Sequence, residues 1–133
     1  IQSWEKVGHI EYLGTTADVR PIIADADCIV LPSFYREGVP RTLLEAASMG
    51  KPIITTDNVG CRDVVIDTET GFLCPVKDVD KLADCIEKVI QISADERLAM
   101  GRKGREFVID CFDEKKIIEQ YINTLSKYGI ISS

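Results

Sequence analysis

Two spacings of apolar residues divide this chain: short apolar runs set between polar loops up to Cys74, and apolar positions recurring at the helical period beyond Asp78. His9 to Leu13 is the first strand candidate, closed by Gly14, Thr15 and Thr16. A short helix from about Val19 to Ala24 leads to Cys28 to Leu31, an unbroken apolar run that predicts a central strand of a parallel sheet covered on both faces. Pro32 ends that strand. After a loop from Ser33 to Val39, a helix is predicted to start with Pro40 at its first position and to stop at Gly50. Pro52 to Thr56 forms the next strand and runs into Asp57, Asn58, Val59 and Gly60. Cys61 to Ile66 reads as one or two helical turns, Thr70 and Gly71 as a turn, and Phe72 to Cys74 as a short final strand.

The rest of the chain is helical in pattern. Asp78 suits the cap of a helix whose stripe is Leu82, Ile86, Val89 and Ile90. Ser93 and Glu96 form a capping-box pattern for a helix carrying Leu98, Phe107 and Val108. Asp113 caps a last helix with Ile117, Ile118, Tyr121, Ile122, Leu125 and Tyr128 on its apolar side. Strand, helix, strand in succession predicts an α/β fold, a Rossmann-like parallel sheet with helices on both faces. Only about four strand candidates occur where such folds usually have five or six. A first strand-helix unit is therefore expected upstream, and the chain is expected to be a fragment.

Composition narrows the function classes. With 133 residues, 45% of them hydrophobic, the chain can bury one core and so one domain. A net charge of -6 without a long basic run argues against nucleic acid, whose phosphates demand a positive field. Five cysteines, an odd number without metal-type spacing, fit free thiols in a reducing compartment. No apolar run approaches the roughly 18 residues of a spanning helix, so no transmembrane segment and a cytoplasmic location are expected.

Chemistry concentrates between Cys28 and Gly50. Loops at the carboxyl ends of parallel strands bind ligands in open α/β sheets, and three such loops, around Gly14, Glu37 and Gly60, converge on one edge. The helix start near Val39, Arg41 and Thr42 offers unsatisfied N–H groups and part of a positive charge, which suits a phosphate; Gly38 permits its approach. Arg41 adds a fork of donors and Thr42 a hydroxyl. Two carboxylates, Glu37 and Glu45, flank this anion site, and a carboxylate there finds employment by accepting hydrogen bonds from sugar hydroxyls. The simpler alternative for Glu45 is a surface ion pair with Arg41, four residues before it.

The run SFYREGVPRTLLEAASMGKPIITTD, followed by GCRDVV, TGFLCPVKDVDKLADCIEKV, MGRKGREFV and CFDEKKIIEQYI, closely resembles the C-terminal domain of family 4 (group 1) glycosyltransferases, which have the two-domain GT-B fold. The resemblance extends from about Gly8 to Tyr128, with the motifs in the family's order. It implies that residues 1–133 are the nucleotide-sugar donor domain of a retaining, metal-independent transferase. Such an enzyme moves a sugar, hexosyl in type, from a UDP- or GDP-linked donor to a glycan or lipid-linked acceptor. No cofactor is implied. Bacterial surface polysaccharide or lipopolysaccharide synthesis, at the inner face of the membrane, is the expected setting.

By the same resemblance Glu37 contacts the donor sugar as the catalytic residue, and Glu45 binds the ribose hydroxyls. Backbone around Gly38, Val39, Pro40, Arg41 and Thr42 holds sugar hydroxyls and diphosphate; Ser33 and Gly14 complete the donor site. Asp63 stands where family members often have glutamate, which leaves that position without an assigned role. The acceptor domain and the basic residues that help neutralise the diphosphate precede this region in the family, so the chain alone is expected to be inactive and to bind donor weakly. The C-terminal helix, over 112–128, is expected to run toward that absent domain, or to form a dimer through its exposed face.

Other signals carry less. Asp25, Ala26 and Asp27 spell a metal-binding D-x-D, yet they mark a helix end before a strand. His9 has no triad partner and is expected to be structural. Arg97, Arg102, Lys103 and Arg105 are expected to be a solvated face. A nucleotide-sugar epimerase of the same architecture and a non-catalytic α/β module are the alternative functions.

Overall fold

The computed structural model describes Gly14, residues 18–33 and residues 39–112. The predicted strand at His9 to Leu13 and the last helix, with its apolar stripe, lie outside the described residues, as do Glu37 and Gly38. In chain order the elements are α1 (Arg20–Asp25), β1 (Ile29–Leu31), α2 (Arg41–Ser48), β2 (Ile53–Thr56), a 3-10 turn (Cys61–Asp63), β3 (Gly71–Cys74), α3 (Val79–Gln91) and α4 (Ala94–Cys111). The strands form a parallel sheet in the order β1-β2-β3. Its register places Val30 beside Ile54 and Ile54 beside Phe72.

Neighbouring residues of a strand point to opposite faces, and Ile53 and Ile54 divide the core accordingly. Ile53 joins Ile23 of α1, Leu43, Ala46 and Ala47 of α2, and Val108 of α4 in one cluster. Ile54 joins Phe72, Cys74 and the α3 residues Cys85 and Val89 in the other. Helices thus cover both faces, the doubly covered parallel sheet that the alternation of elements predicts. Leu43, wholly buried, contributes about 1.5–3 kcal/mol of burial at the centre of the first cluster.

The covering is uneven. Val30 is 40% exposed, so β1 is not buried on both faces as its apolar run suggests. The reason is placement: α3 lies over β2 and β3, leaving Val30, Ile54, Ile86 and Ile90 to line an open groove of about 430 Å³. Ile90 is 71% exposed, and the inward stripe of α3 is Leu82, Cys85 and Val89. Burial pushes the Cys28 thiol up to about 11, backbone hydrogen bonds from Ile54 and Ile29 only partly opposing it. All five cysteines are free; Cys61, Cys74 and Cys85 are buried and Cys111 is exposed.

Two glycines set close approaches that spacing alone could not reveal. Gly71 belongs to β3 rather than to a turn, because a Cβ there would lie 1.9 Å from the Ile53 carbonyl oxygen. Gly101 lets α4 rest directly on the loop after α2, since its Cβ would lie 1.9 Å from the Gly50 carbonyl oxygen. The inward face of α4 is Gly101, Gly104 and Val108, and Leu98 is 61% exposed.

Two of the three predicted caps form: Asp78 accepts from the Lys81 N–H at 3.0 Å and Ser93 from the Glu96 N–H at 3.1 Å, while Asp113 lies outside the described residues. Arg97 is not simply solvated, for its Nη1 donates to the Val89 and Ile92 carbonyls where α3 ends. Arg102, Lys103 and Arg105 are exposed.

Candidate functional site

Parallel pairing puts the carboxyl ends of β1 and β2 on one edge, and two threonines bind them together. The Thr55 hydroxyl donates to the Leu31 carbonyl at 2.8 Å, and the Thr56 hydroxyl to the carbonyl of Ser33. Both threonines are buried, so their hydroxyls are committed to holding the start of the loop that leads to α2. Ser33 is half-buried in this arrangement.

Helix α2 begins one residue later than the position of Pro40 suggests. Pro40 has an extended ψ of 129° and is the cap residue, its carbonyl accepting from Leu43 at 3.1 Å and Leu44 at 3.2 Å. A proline ring carries no acceptor, and no side-chain cap closes this end. The first two helical N–H groups, of Arg41 and Thr42, have no partner within the helix and lie at the positive end of its dipole, where an anion gains both hydrogen bonds and field. The Val39 side chain packs against the core, so at that position only main chain faces the loop.

Beside this helix start lies a cavity of about 580 Å³ lined by Asp18, Val19, Arg20, Arg41, Thr42 and Glu45. Glu45 reaches it because Leu43, Ala46 and Ala47 take the inward face of α2. Its Oε1 accepts from Arg41 Nε at 3.2 Å, with Arg41 92% exposed and Glu45 28% exposed. An exposed pair four apart on a helix is worth only about 0.3–0.5 kcal/mol, so the contact exists without committing Glu45 to a structural role. The carboxylate keeps acceptor capacity for a ligand.

Across the cavity Asp18 and Arg20 form a fork. Arg20 Nε donates to Asp18 Oδ1 at 2.8 Å and Nη2 to Oδ2 at 2.9 Å, while the Arg20 backbone N–H donates to Oδ1 at 3.1 Å. These bonds hold the Asp18 carboxyl down to about 2. In return Asp18, by its hydrogen bond first and its charge second, raises Arg20 above the usual guanidinium value; burial opposes this, and Glu45 adds least.

Of the residues singled out by sequence, Arg41, Thr42 and Glu45 meet on this cavity, with Pro40 and Val39 leading into it. Gly14 is exposed with φ of +79°, a conformation that glycine takes readily, and it is not part of the lining. Glu37 and Gly38 are outside the described residues. Asp63 is exposed in the 3-10 turn. Sequence reasoning missed Asp18, Val19 and Arg20. The available signal was an Asp-x-Arg at the start of a helix preceding the central strand, two charges placed where an apolar return helix needs none.

Similarity to known proteins accords with this geometry. The family described as "Glycosyl transferases group 1" matches residues 1–92. An N,N'-diacetylbacillosaminyl-diphospho-undecaprenol alpha-1,3-N-acetylgalactosaminyltransferase of Campylobacter jejuni is 31% identical over 86% of the chain and 30% of its own length. An N-acetyl-alpha-D-glucosaminyl L-malate synthase of Bacillus anthracis is 37% identical over 85% of the chain and 30% of its length. Among solved structures, Anabaena HepE in complex with UDP superposes with a TM-score of 0.82 at 25% identity, covering 95% of this chain and 35% of that one. The chain thus spans about a third of the length of the relatives it matches.

Proposed function

The chain belongs to the group 1 glycosyl transferases of GT-B fold, and on that premise we propose that it is the donor-binding domain of a retaining enzyme. The observation that carries this reading is the cavity at the uncapped start of α2, with the Arg41 and Thr42 N–H groups at one end and the Glu45 carboxylate one turn along. A nucleoside diphosphate has matching parts: an anionic diphosphate for the helix start and vicinal ribose hydroxyls for the carboxylate. Arg41 and the Thr42 hydroxyl add donors to the diphosphate. UDP bound to a neighbour of the same fold supports a nucleotide-linked donor, UDP or GDP in type.

In this proposal Glu37 meets the donor sugar, orienting it or stabilising the charge that develops at the reacting carbon. Gly38 allows close approach of the backbone, and Ser33 and Gly14 border the nucleotide. The reaction is hexosyl transfer without a metal ion, the diphosphate being neutralised by protein donors. Acceptors are glycans or lipid-linked glycans, bound by the larger part of the whole protein. Relatives named for polysaccharide synthesis, such as the putative colanic acid biosynthesis glycosyltransferase of Escherichia coli, support that class, and a place at the cytoplasmic face of the membrane belongs to the same proposal. Among the described residues no helix is long and apolar enough to cross a membrane.

The test uses the whole enzyme. Glu45→Ala should weaken donor binding by about 10- to 100-fold, the worth of a charge-assisted pair, with a smaller effect on turnover at saturating donor. Glu37→Ala should depress turnover more than nucleotide affinity. The opposite pattern, with Glu45 governing turnover and Glu37 affinity, would overturn both roles.

A further inference from the structure

The ladder between β1 and β2 stops where Leu31 meets Thr55, and Pro32, which has no N–H to donate, cannot extend it. Strand β2 runs one residue further, its Thr56 paired with Cys74 of β3. Beyond Leu31 a side chain takes over from the ladder: the Thr56 hydroxyl donates to the Ser33 carbonyl. Thr55, facing the other side of the sheet, donates to the Leu31 carbonyl at 2.8 Å. Thr56 acts from a fixed platform, for β2 is buried along its whole length and the Asp57 N–H donates to the Cys74 carbonyl at 2.8 Å.

Valine has nearly the shape of threonine and would suit a buried strand that also carries Ile53 and Ile54, so packing does not call for a hydroxyl at a residue only 2% exposed. The bond to Ser33 compensates for burying it, and the placement of Ser33 is what that bond achieves. Ser33 opens the short segment that carries Glu37, four residues on. At the other end of the segment Val39 packs against the core and Pro40 caps α2. A short segment tied at both ends samples far fewer conformations than one tied at the helix alone.

We propose that Thr56 is a positioning residue for sugar transfer: through Ser33 its hydroxyl sets where Glu37 stands relative to a donor bound at the start of α2. The assignment rests on the donor reading above, in which Glu37 meets the sugar and α2 the diphosphate. The two parts have different supports. Leu43, Ala46 and Ala47 seat α2 on the Ile53 face of the sheet, whereas Thr56 shares the opposite face with Ile54 and joins the Ser33 end of the segment to β2. Loss of the hydroxyl therefore lowers turnover and spares the grip on the nucleotide, since a displacement on the order of 1 Å at a reacting group can cost about 100-fold in rate.

The test uses the whole enzyme and measures turnover at saturating donor apart from affinity, the latter by titration with UDP and GDP. Thr56→Val should lower kcat by about tenfold or more and change nucleotide affinity by less than about threefold. Thr56→Ser, which keeps the hydroxyl, should stay within about threefold of the unsubstituted enzyme in both. Thr56→Ala is a second chain without the hydroxyl, read in the same way if the valine variant does not fold. Ser93→Ala, which removes the cap of α4, is the control for a general loss of stability: it should lower the denaturation midpoint without lowering kcat below the transition. In a Glu37→Ala background, removing the hydroxyl should lower kcat by less than about twofold more, because the residue it places is gone. Full turnover in Thr56→Val, equal loss of turnover and affinity, or a tenfold loss that persists without Glu37 would each overturn the role of Thr56 and leave the donor reading in place. Low turnover in Thr56→Ser, or failure of both hydroxyl-free chains to fold, would overturn it as well. Turnover unharmed by Glu37→Ala would overturn the role of Glu37 and this inference with it.

Discussion

Helices α2 and α4 pack together on one face of the sheet, yet their amino-terminal ends are finished in opposite ways. At α4 the Ser93 hydroxyl accepts from Glu96, with Asp95 and Glu96 facing the positive end of the dipole. There a side-chain acceptor meets the third helical N–H and two carboxylates complement the dipole. At α2 the cap is Pro40, which has no side-chain acceptor, no acidic residue lies in the first turn, and a cavity lined by Arg41 and Thr42 lies beside it. A helix end that the protein closes by itself adds stability and has nothing left to offer; one left open gives up that stability and gains a place for an anion. The two helices thus divide the work, α4 fixing position and α2 presenting chemistry.

Breaking the positional side of this division should have the largest effect. Gly101→Ala forces a Cβ to within 1.9 Å of the Gly50 carbonyl oxygen, and neither backbone can yield cheaply. A loss of about 3 kcal/mol or more in chemical denaturation is expected. Gly104→Ala, whose Cβ would meet the Thr70 Cβ at 3.4 Å, should stay within about 1 kcal/mol of the unsubstituted protein, because the helix gains from alanine what the contact costs. Equal midpoints for both variants would show that the Gly50 contact is not what holds α4.

The two helix starts provide a finer contrast. Ser93→Ala should cost about 1 kcal/mol of stability through loss of the cap. Arg41→Ala, on a side chain 92% exposed, should change stability by less than about 0.5 kcal/mol while weakening nucleotide binding. A stability loss at Arg41 matching that at Ser93 would erase the distinction between the two ends.

Smallest of all is the effect of acid on the far wall of the cavity. Asp18 is held down to about 2 from an ordinary 3.8 by the hydrogen bonds from Arg20. A carboxyl lowered on folding stabilises above its ordinary value, and that contribution is lost as pH falls from near 3.8 toward 2. Exposure keeps it slight, so the measurement is the titration itself: carbon-detected NMR should place the Asp18 midpoint near 2, and Arg20→Ala should return it toward 3.8. A midpoint already near 3.8 with Arg20 intact would dissolve the fork.

How far the sequence foretold this molecule depends on the range of the interaction involved. Local signals were legible: Asp78 and Ser93 cap because an acceptor three residues before a donor acts within one turn. The parallel order was legible from the alternation of elements. Exposure was not, since Val30 and Ile90 are apolar residues whose covering depends on where α3 crosses the sheet, and no local pattern states that. Nor was the role of Gly101, whose partner Gly50 is distant in sequence. At the site, Arg41, Thr42 and Glu45 were legible because helical spacing fixes their relation within α2. Asp18 and Arg20 were not, because they reach the same cavity from another helix.

That difference in attachment bears on how such a protein could diversify. One wall of the cavity rides on α2, which is pinned on its inner side by Leu43, Ala46 and Ala47 and abutted at its end by the backbone of α4. The opposite wall rides on α1, six residues long, with Ile23 as its buried residue. Ile23 ties the second to the first by packing in one cluster with Leu43, Ala46 and Ala47. Descendants of a common ancestor could therefore recut one wall of the cavity by altering a short helix, leaving the longer and more deeply packed α2 in place.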